Sequence, residues 1–458
     1  MKALTLTDLE SFLDSPSLGN CCTLAAGVYE VTRTIAVKRR NIRIEGECQG
    51  IQKKTILKRG RTDDGSLFTG PLIQGKGVSD VVITSLIING MRFADSHDGT
   101  VDLRHPLGVA PDSPLFCCGR VLSPPDAFVQ SNFSTPFEAD LFFSDTRRLS
   151  VQNLDLHNPI KFGIALGNGT HEVNVEDLYI CRGGDGGVWC GLILAEACTS
   201  LPLPKAIEQQ RPRNILFRNC TFEGCGAAGL FLEASHVTIE SCVFRGNHRD
   251  FPYNCDGGQI EIDYKSDFIV IDSCSVLEGP SLLRDIATWL SDAKRTDLQQ
   301  RLLRVVGIEA CGSSLLFKDN RIEGHSHEGI HLNGARQVRI CGNRTVIGGN
   351  HSAWPQYSEI RHEPRQNISV TTTAELKKRN AIAEHICIEE IRCENGIIFW
   401  SDGSEPALNI DNVTVRDSDL RGTPGSGIVV CNNLDGTSVR GANWSLSGNV
   451  VDEYNSRR

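Results

Sequence analysis

The chain has 458 residues, a formal net charge of −9, 44 glycines and only 6% aromatic residues. That balance argues against a broad basic face for nucleic acid or another polyanion, and no run approaches the roughly 18 apolar residues of a membrane-spanning helix. Neither nucleic acid nor membrane is therefore expected as a partner, while a homo-oligomer is left open.

The N-terminus, MKALTLTDLESFLDS, is acidic and amphipathic, with no basic region followed by an apolar core. No secretory leader is expected; the chain reads as cytoplasmic, or as secreted if it is the mature part of a longer precursor. Residues 1–22 are expected to form a cap with a short helix, covering an end strand that would otherwise recruit other chains. From residue 23 the pattern becomes strand, turn, strand: Gly27-Val-Tyr29, Ile35-Ala-Val37, Ile42-Arg-Ile44.

One phrase then recurs. It is clearest in Ile215-Leu-Phe217-Arg-Asn219-Cys220-Thr-Phe222 and Val237-Thr-Ile239-Glu-Ser241-Cys242-Val-Phe244, and each copy is followed by Gly and a second short strand, Gly229–Glu233 or Gly258–Asp263. Copies begin at Val81, Leu149, Val173, Ile269, Leu315, Val338, Ile386 and Val413. A repeat of just over twenty residues marks a solenoid. Apolar residues at period 2, rather than at spacings of three and four, make it a β-solenoid.

Three segments interrupt the repeat. Residues 106–147 are rich in Pro and Phe, residues 279–303 carry apolar residues at helical spacing, and residues 349–380 form a polar stretch containing Trp354, Tyr357, Arg361 and His362. All three are expected to wall one side of the solenoid, since long excursions in compact domains are usually functional. The repeat domain is expected to run to 451, with 452–458 as a tail.

The 18 cysteines do not suggest a disulfide framework. Cys220, Cys242 and Cys274 occupy one phase of the repeat, where Leu86, Leu154, Leu178 and Ile391 stand in other copies. They read as free thiols acting as small hydrophobes at an inner corner.

The repeated phrase followed by Gly-h-x-h (h, apolar) resembles the right-handed parallel β-helix of the pectate-lyase-like superfamily over roughly residues 23–451. The resemblance implies an all-β, single-stranded right-handed parallel β-helix of about ten or more coils with helical and loop insertions. It also implies a carbohydrate or other small polar substrate, because the superfamily mostly handles carbohydrates. Tyr253-Asn254-Cys255-Asp256-Gly257 is similar to the Asn-Thr-Asp-Gly of polygalacturonases, with Cys255 in place of Thr. The other motifs of that subfamily are missing: Asp272-Ser273 stands for a paired Asp, Gly324-His325-Ser326 for Gly-His-Gly, and Arg321-Ile322-Glu323 for Arg-Ile-Lys.

Parity locates candidate site residues. In each Gly-h-x-h-x strand the h residues face inward and the x residues outward, and successive coils stack those outward residues into columns. Glu233, Glu261, Asp263, Glu309, His331 and Asn333 fall together in these columns, between coils with small or apolar residues there. A solvated sheet face is the plainer explanation. Against it, carboxylates about 5 Å apart repel by roughly 1 kcal/mol per pair even in water, and no Lys or Arg interleaves them.

Such repulsion raises one carboxyl pKa and leaves its neighbour ionised, the division of labour used in glycosidic cleavage. The expected activity is therefore cleavage of a glycosidic bond, by hydrolysis or intramolecular transfer, without a cofactor. Glu261 and Glu309 are the candidate acid and nucleophile or base, and Asp263 and Glu233 join them. Asp250 and Asp256, on the loop leading to Glu261, are substitutes. His331, Asn333, Trp400, Trp354, Tyr357 and Arg361 are candidates for binding substrate. A polysaccharide lyase or uronate epimerase, with calcium as its possible cofactor, is the alternative; a small-metabolite cyclase or isomerase and a non-catalytic glycan-binding β-helix are others. His325, His327 and His331 lie on a strand pattern, where the i,i+4 pair does not share a face, so no metal site is expected.

Overall fold

The structure is a computed structural model. It describes residues 1–91, 139–184, 186–192, 209–226, 228–247, 258–277, 306–325, 328–342, 345–346, 367–372, 382–393, 396–401, 410–420, 428–430 and 445–449. Two compact units divide the chain, Met1–Val237 and Thr238–Arg458. Both are built from short parallel strands, as the phrase requires. Among the described residues, the one antiparallel ladder pairs Cys48–Gln49 with Gln52–Lys53.

In the first unit the phrase strands stack in register, Ile42 on Val81, Val81 on Leu149, Leu149 on Val173 and Val173 on Ile215. In the second, Ile269 pairs with Leu315, Leu315 with Val338, Val338 with Ile386 and Ile386 with Val413. Alternate residues are buried throughout, so each unit has a core of Ile, Val, Leu and Phe, including Phe217 and Phe222 in the first and Phe244 and Phe317 in the second.

The polar fifth position of the phrase has a backbone cause. Asn153, Asp177 and Asn219 in the first unit, and Ser241, Ser273, Asp319, Glu390 and Asp417 in the second, have φ between 51 and 56°. This left-handed corner penalises most side chains but is tolerated by Asn and Asp, whose polar groups bond locally. The Gly of Gly-h-x-h has a different cause, close approach. A Cβ on Gly187 would lie 2.4 Å from the Gly229 oxygen, and one on Gly307 2.5 Å from the Gly329 oxygen.

Every cysteine among the described residues is a free thiol. The corner thiols are buried, as their phase suggests, but they are more than hydrophobes. Cys220 Sγ donates to the Val175 carbonyl at 3.4 Å and Cys274 Sγ to that of Ile239 at 3.5 Å. At the same corner Asn320 does this with its amide, donating to the Ile271 carbonyl at 2.9 Å. At Cys220, Cys274 and Asn320, then, the side chain at this position reaches back one coil.

At the N-terminus a helix, α1 (Leu6–Asp14), is closed by a Thr5–Asp8 capping box and buries Leu9, Phe12 and Leu13. Arg39 ties down the following turn by donating to the Phe12, Ser15 and Gly19 carbonyls.

Two expected interruptions are shorter than the sequence suggests. Leu141–Ser144, within 106–147, is a strand pairing with Ile73–Lys76 and Phe162–Leu166. Ile368–Thr372, within 349–380, is a buried strand between Ile330–Asn333 and Ile397–Ser401. In LFFS both parities are apolar, and in ISVTT no Gly introduces the strand, so neither shows the repeating signature. Residues 92–138, 278–305, 347–366 and 373–381 lie outside the described residues, and with them the helical expectation for 279–303.

Candidate functional site

The second unit carries one outward column in strict register. Glu261 pairs with Glu309, Glu309 with His331, and His331 with Ser369. The flanking Ile260, Ile262, Ile308, Ala310, Ile330 and Leu332 are buried in the core, which forces the intervening side chains out of it. A second outward column sets Asn333 beside Thr371, and Thr371 beside Trp400 at the level of the backbone.

These outward positions are not an open surface. Ser369 is 0% and Thr371 1% exposed, and the side chains of His331 and Glu309 are only 18% and 14% exposed. Glu261 is half-buried, with its Oε1 shut off from water and without a hydrogen-bond partner. Burial, reinforced by the negative charge of Asp263, pushes the Glu261 carboxyl up to about 8. It is therefore protonated at neutral pH, since an isolated carboxylate taken out of water is destabilised relative to the acid. Asp263 is placed differently, its Oδ1 accepting from the Lys265 backbone N–H at 3.0 Å.

The other half of the site is a chain of polar side chains. His331 Nδ1 lies 3.9 Å from Glu309 Oε1. On its other side, His331 Nε2 is 3.0 Å from the Thr371 hydroxyl, which donates to Asn333 Oδ1 at 3.0 Å. A protonated carboxylic acid, a second carboxyl one strand away and a hydrogen-bonded imidazole thus share one face, able to give and accept protons around a polar ligand.

Glu233, in the first unit, is half-buried at the end of Leu230–Leu232, its backbone N–H donating to the Cys190 carbonyl. His325 is not on this face but fully buried, with Nε2 2.7 Å from the Gln259 amide, and burial drives its pKa down to about 3. Asp250, Asp256, Trp354, Tyr357, Arg361 and His327 lie outside the described residues, as does the Asn-Cys-Asp-Gly segment. No group of three or more His, Cys, Asp or Glu placed to hold a metal occurs among the described residues.

Sequence reasoning missed Ser369 and Thr371. The alternation in Ile368-Ser-Val370-Thr-Thr372 was the available signal. It also missed a polar cluster in the first unit, where His157 Nδ1 is 3.2 Å from Cys181 Sγ and Tyr179 donates to Glu223 at 3.1 Å. Burial raises the Cys181 thiol and lowers His157, so both rest neutral, which disfavours a thiolate nucleophile there.

No curated protein matches the chain by sequence. Among solved structures, the A-module of the mannuronan C-5 epimerase AlgE4 of Azotobacter vinelandii has a TM-score of 0.54 at 12% identity, covering 98% of this chain and 94% of that one. The A-module of AlgE6 from the same organism gives 0.51 at 12% identity, covering 97% and 94%. The catalytic unit of a thermostable GH87 alpha-1,3-glucanase from Streptomyces thermodiastaticus strain HF3-3 gives 0.53 at 12% identity, over 98% of this chain and 68% of that one. At such identities the likeness speaks for the fold. The right handed beta helix region model matches residues 126–451, in keeping with the parallel register and repeated left-handed corners, and the chain belongs to the right-handed β-helix family.

Proposed function

We propose that the chain is a polysaccharide-active enzyme that cleaves a glycosidic bond, by hydrolysis or intramolecular transfer, at the outward column of the second unit. The observation that carries this reading is the pair Glu261 and Glu309, on neighbouring strands and in register, with the Glu261 carboxyl pushed up to about 8 by burial. The solved folds similar to the chain include a glucanase catalytic unit and two epimerase modules, which supports a polysaccharide as substrate.

In this reading Glu261, holding its proton at neutral pH, donates it to the leaving glycosidic oxygen. Glu309 acts on the sugar as nucleophile, or on water as base. Neighbouring strands lie about 4.8 Å apart, close to the ~5–5.5 Å carboxyl separation of retaining enzymes. Asp263 helps to keep Glu261 protonated, while His331 and Asn333 meet sugar hydroxyls.

The test is a panel of neutral and acidic glycans assayed for new reducing ends, with Glu261→Gln and Glu309→Gln alongside. Wild-type cleavage lost in both variants supports the assignment. Near-normal turnover in both would sink it and move the roles to Asp250 or Asp256.

The second reading, a uronate epimerase or polysaccharide lyase, is favoured by His331, an imidazole beside a carboxyl and able to accept a proton from carbon. A product with near-ultraviolet absorbance, or inverted uronate residues without chain cleavage, would select it. A chelator-sensitive rate restored by calcium would then identify its cofactor.

A further inference from the structure

Thr371 stands between two partners and has one proton to give. Its hydroxyl donates to Asn333 Oδ1 at 3.0 Å, and His331 Nε2 lies 3.0 Å from the same oxygen. With its proton committed to Asn333, Thr371 Oγ1 offers His331 only a lone pair. Nε2 must therefore carry a hydrogen, and in the neutral imidazole Nδ1 carries the lone pair. That nitrogen is on the Glu309 side, 3.9 Å from Oε1.

Packing does not explain this hydroxyl. Thr371 is 1% exposed at an outward strand position, where Val would fill the same space without a polar atom to satisfy. The two hydrogen bonds are what distinguish Thr here, and in a dry position they are costly to lose.

We propose that Thr371, oriented by Asn333, is a positioning residue that holds His331 as the Nε2–H tautomer, so that Nδ1 is presented as a proton acceptor to a sugar hydroxyl. This rests on the function proposed above only in naming the sugar. In intramolecular transfer that hydroxyl oxygen attacks the anomeric carbon as its proton passes to Nδ1, and the bond to the leaving oxygen breaks as Glu261 gives that oxygen its proton. The resulting imidazolium lies beside Glu309, 3.9 Å from Oε1. Loss of the His331 proton to solvent and return of one to Glu261 restore the starting tautomer.

The tautomer can be read without substrate. Full-length protein labelled with [15N]histidine has 12 histidines, and long-range proton–nitrogen correlation spectra separate the two tautomers; loss of one spin system in His331→Gln identifies the residue. Above the pH of imidazole ionisation, wild type, Thr371→Ser and Asn333→Asp should all show Nε2–H. Thr371→Val removes the acceptor at Nε2 and should move the proton to Nδ1, facing Glu309.

In the glycan assay Thr371→Val should lower kcat about 10²-fold with KM little changed, and Thr371→Ser should restore it to within a few-fold. An Nδ1–H tautomer in wild type, or an unchanged tautomer in a folded Thr371→Val, overturns the proposal. Failure of wild type to cleave any glycan would instead count against the proposed function, because the tautomer is measured in its absence.

Discussion

The same strand position is used in opposite ways by the two units. In the first, the outward residues of successive strands are Phe142, Ala165, Trp189 and Phe231, each in register with the next. With Ala139 and Phe162 they form an apolar cluster outside the solenoid core, Phe142 2% and Trp189 7% exposed. In the second unit that position holds Glu261, Glu309, His331 and Ser369. The backbone geometry is common to both, and what differs is the sign of the free energy. Covering aromatic rings stabilises the first face, whereas covering Glu261 costs stability and leaves it a proton to donate.

That contrast can be broken most sharply by activity. Glu309→Gln and Glu261→Gln should each reduce turnover by about 10²–10⁴-fold while leaving the melting temperature unchanged or raised. On the apolar face the pattern should reverse. Trp189→Ala should cost about 3–5 kcal/mol of stability, with any activity that survives folding close to wild type per folded molecule. If Trp189→Ala abolished turnover without destabilising the protein, the division between a structural and a chemical face would fail.

The cost assigned to Glu261 predicts a pH dependence. Its folded pKa is raised from the ordinary 4.5 to about 8. Below pH 4.5 the acid is protonated whether the chain is folded or not. Between about pH 4.5 and 8 the unfolded chain ionises while the folded one does not, so stability falls as pH rises. By pH 8 the loss should be on the order of a few kcal/mol, and Glu261→Gln should remove it. Parallel melting curves for wild type and variant from pH 4 to 9 would contradict the assignment. Activity that depends on the same proton should decline through an alkaline limb near pH 8.

The smallest expected effect is a control shared by both units. Asn219→Ala in the first and Asp319→Ala in the second replace residues at φ 54°, and each should cost about 1 kcal/mol without altering turnover. Unequal losses, measured by denaturant unfolding, would show that the corners are not equivalent.

The fold was legible because its demands are local and repeated. The alternation of Ile269, Ile271 and Val276 or Leu315, Phe317 and Ile322 reports burial, and the polar residue at each left-handed corner reports backbone conformation. Register follows from repetition, which sets Glu261, Glu309 and His331 side by side. Ser369 and Thr371 were hidden because Ile368–Thr372 has the alternation but not the introducing glycine. Likewise Leu141–Ser144 conceals its outward Phe142 among apolar neighbours, since an aromatic cluster covers that face.

By itself, then, the sequence determined a β-solenoid, the inward and outward faces of its strands, and a column of acids and a histidine on one of them. These properties are written in the periodicity of the chain, each strand answering to its own residues and those one coil away. Only the tertiary structure decided which outward residues are dry, that Glu261 keeps a proton its sequence neighbours cannot foretell, and that Thr371 joins His331 to Asn333. Desolvation and hydrogen-bond direction depend on what covers a side chain in three dimensions, and a repeat pattern carries no record of that.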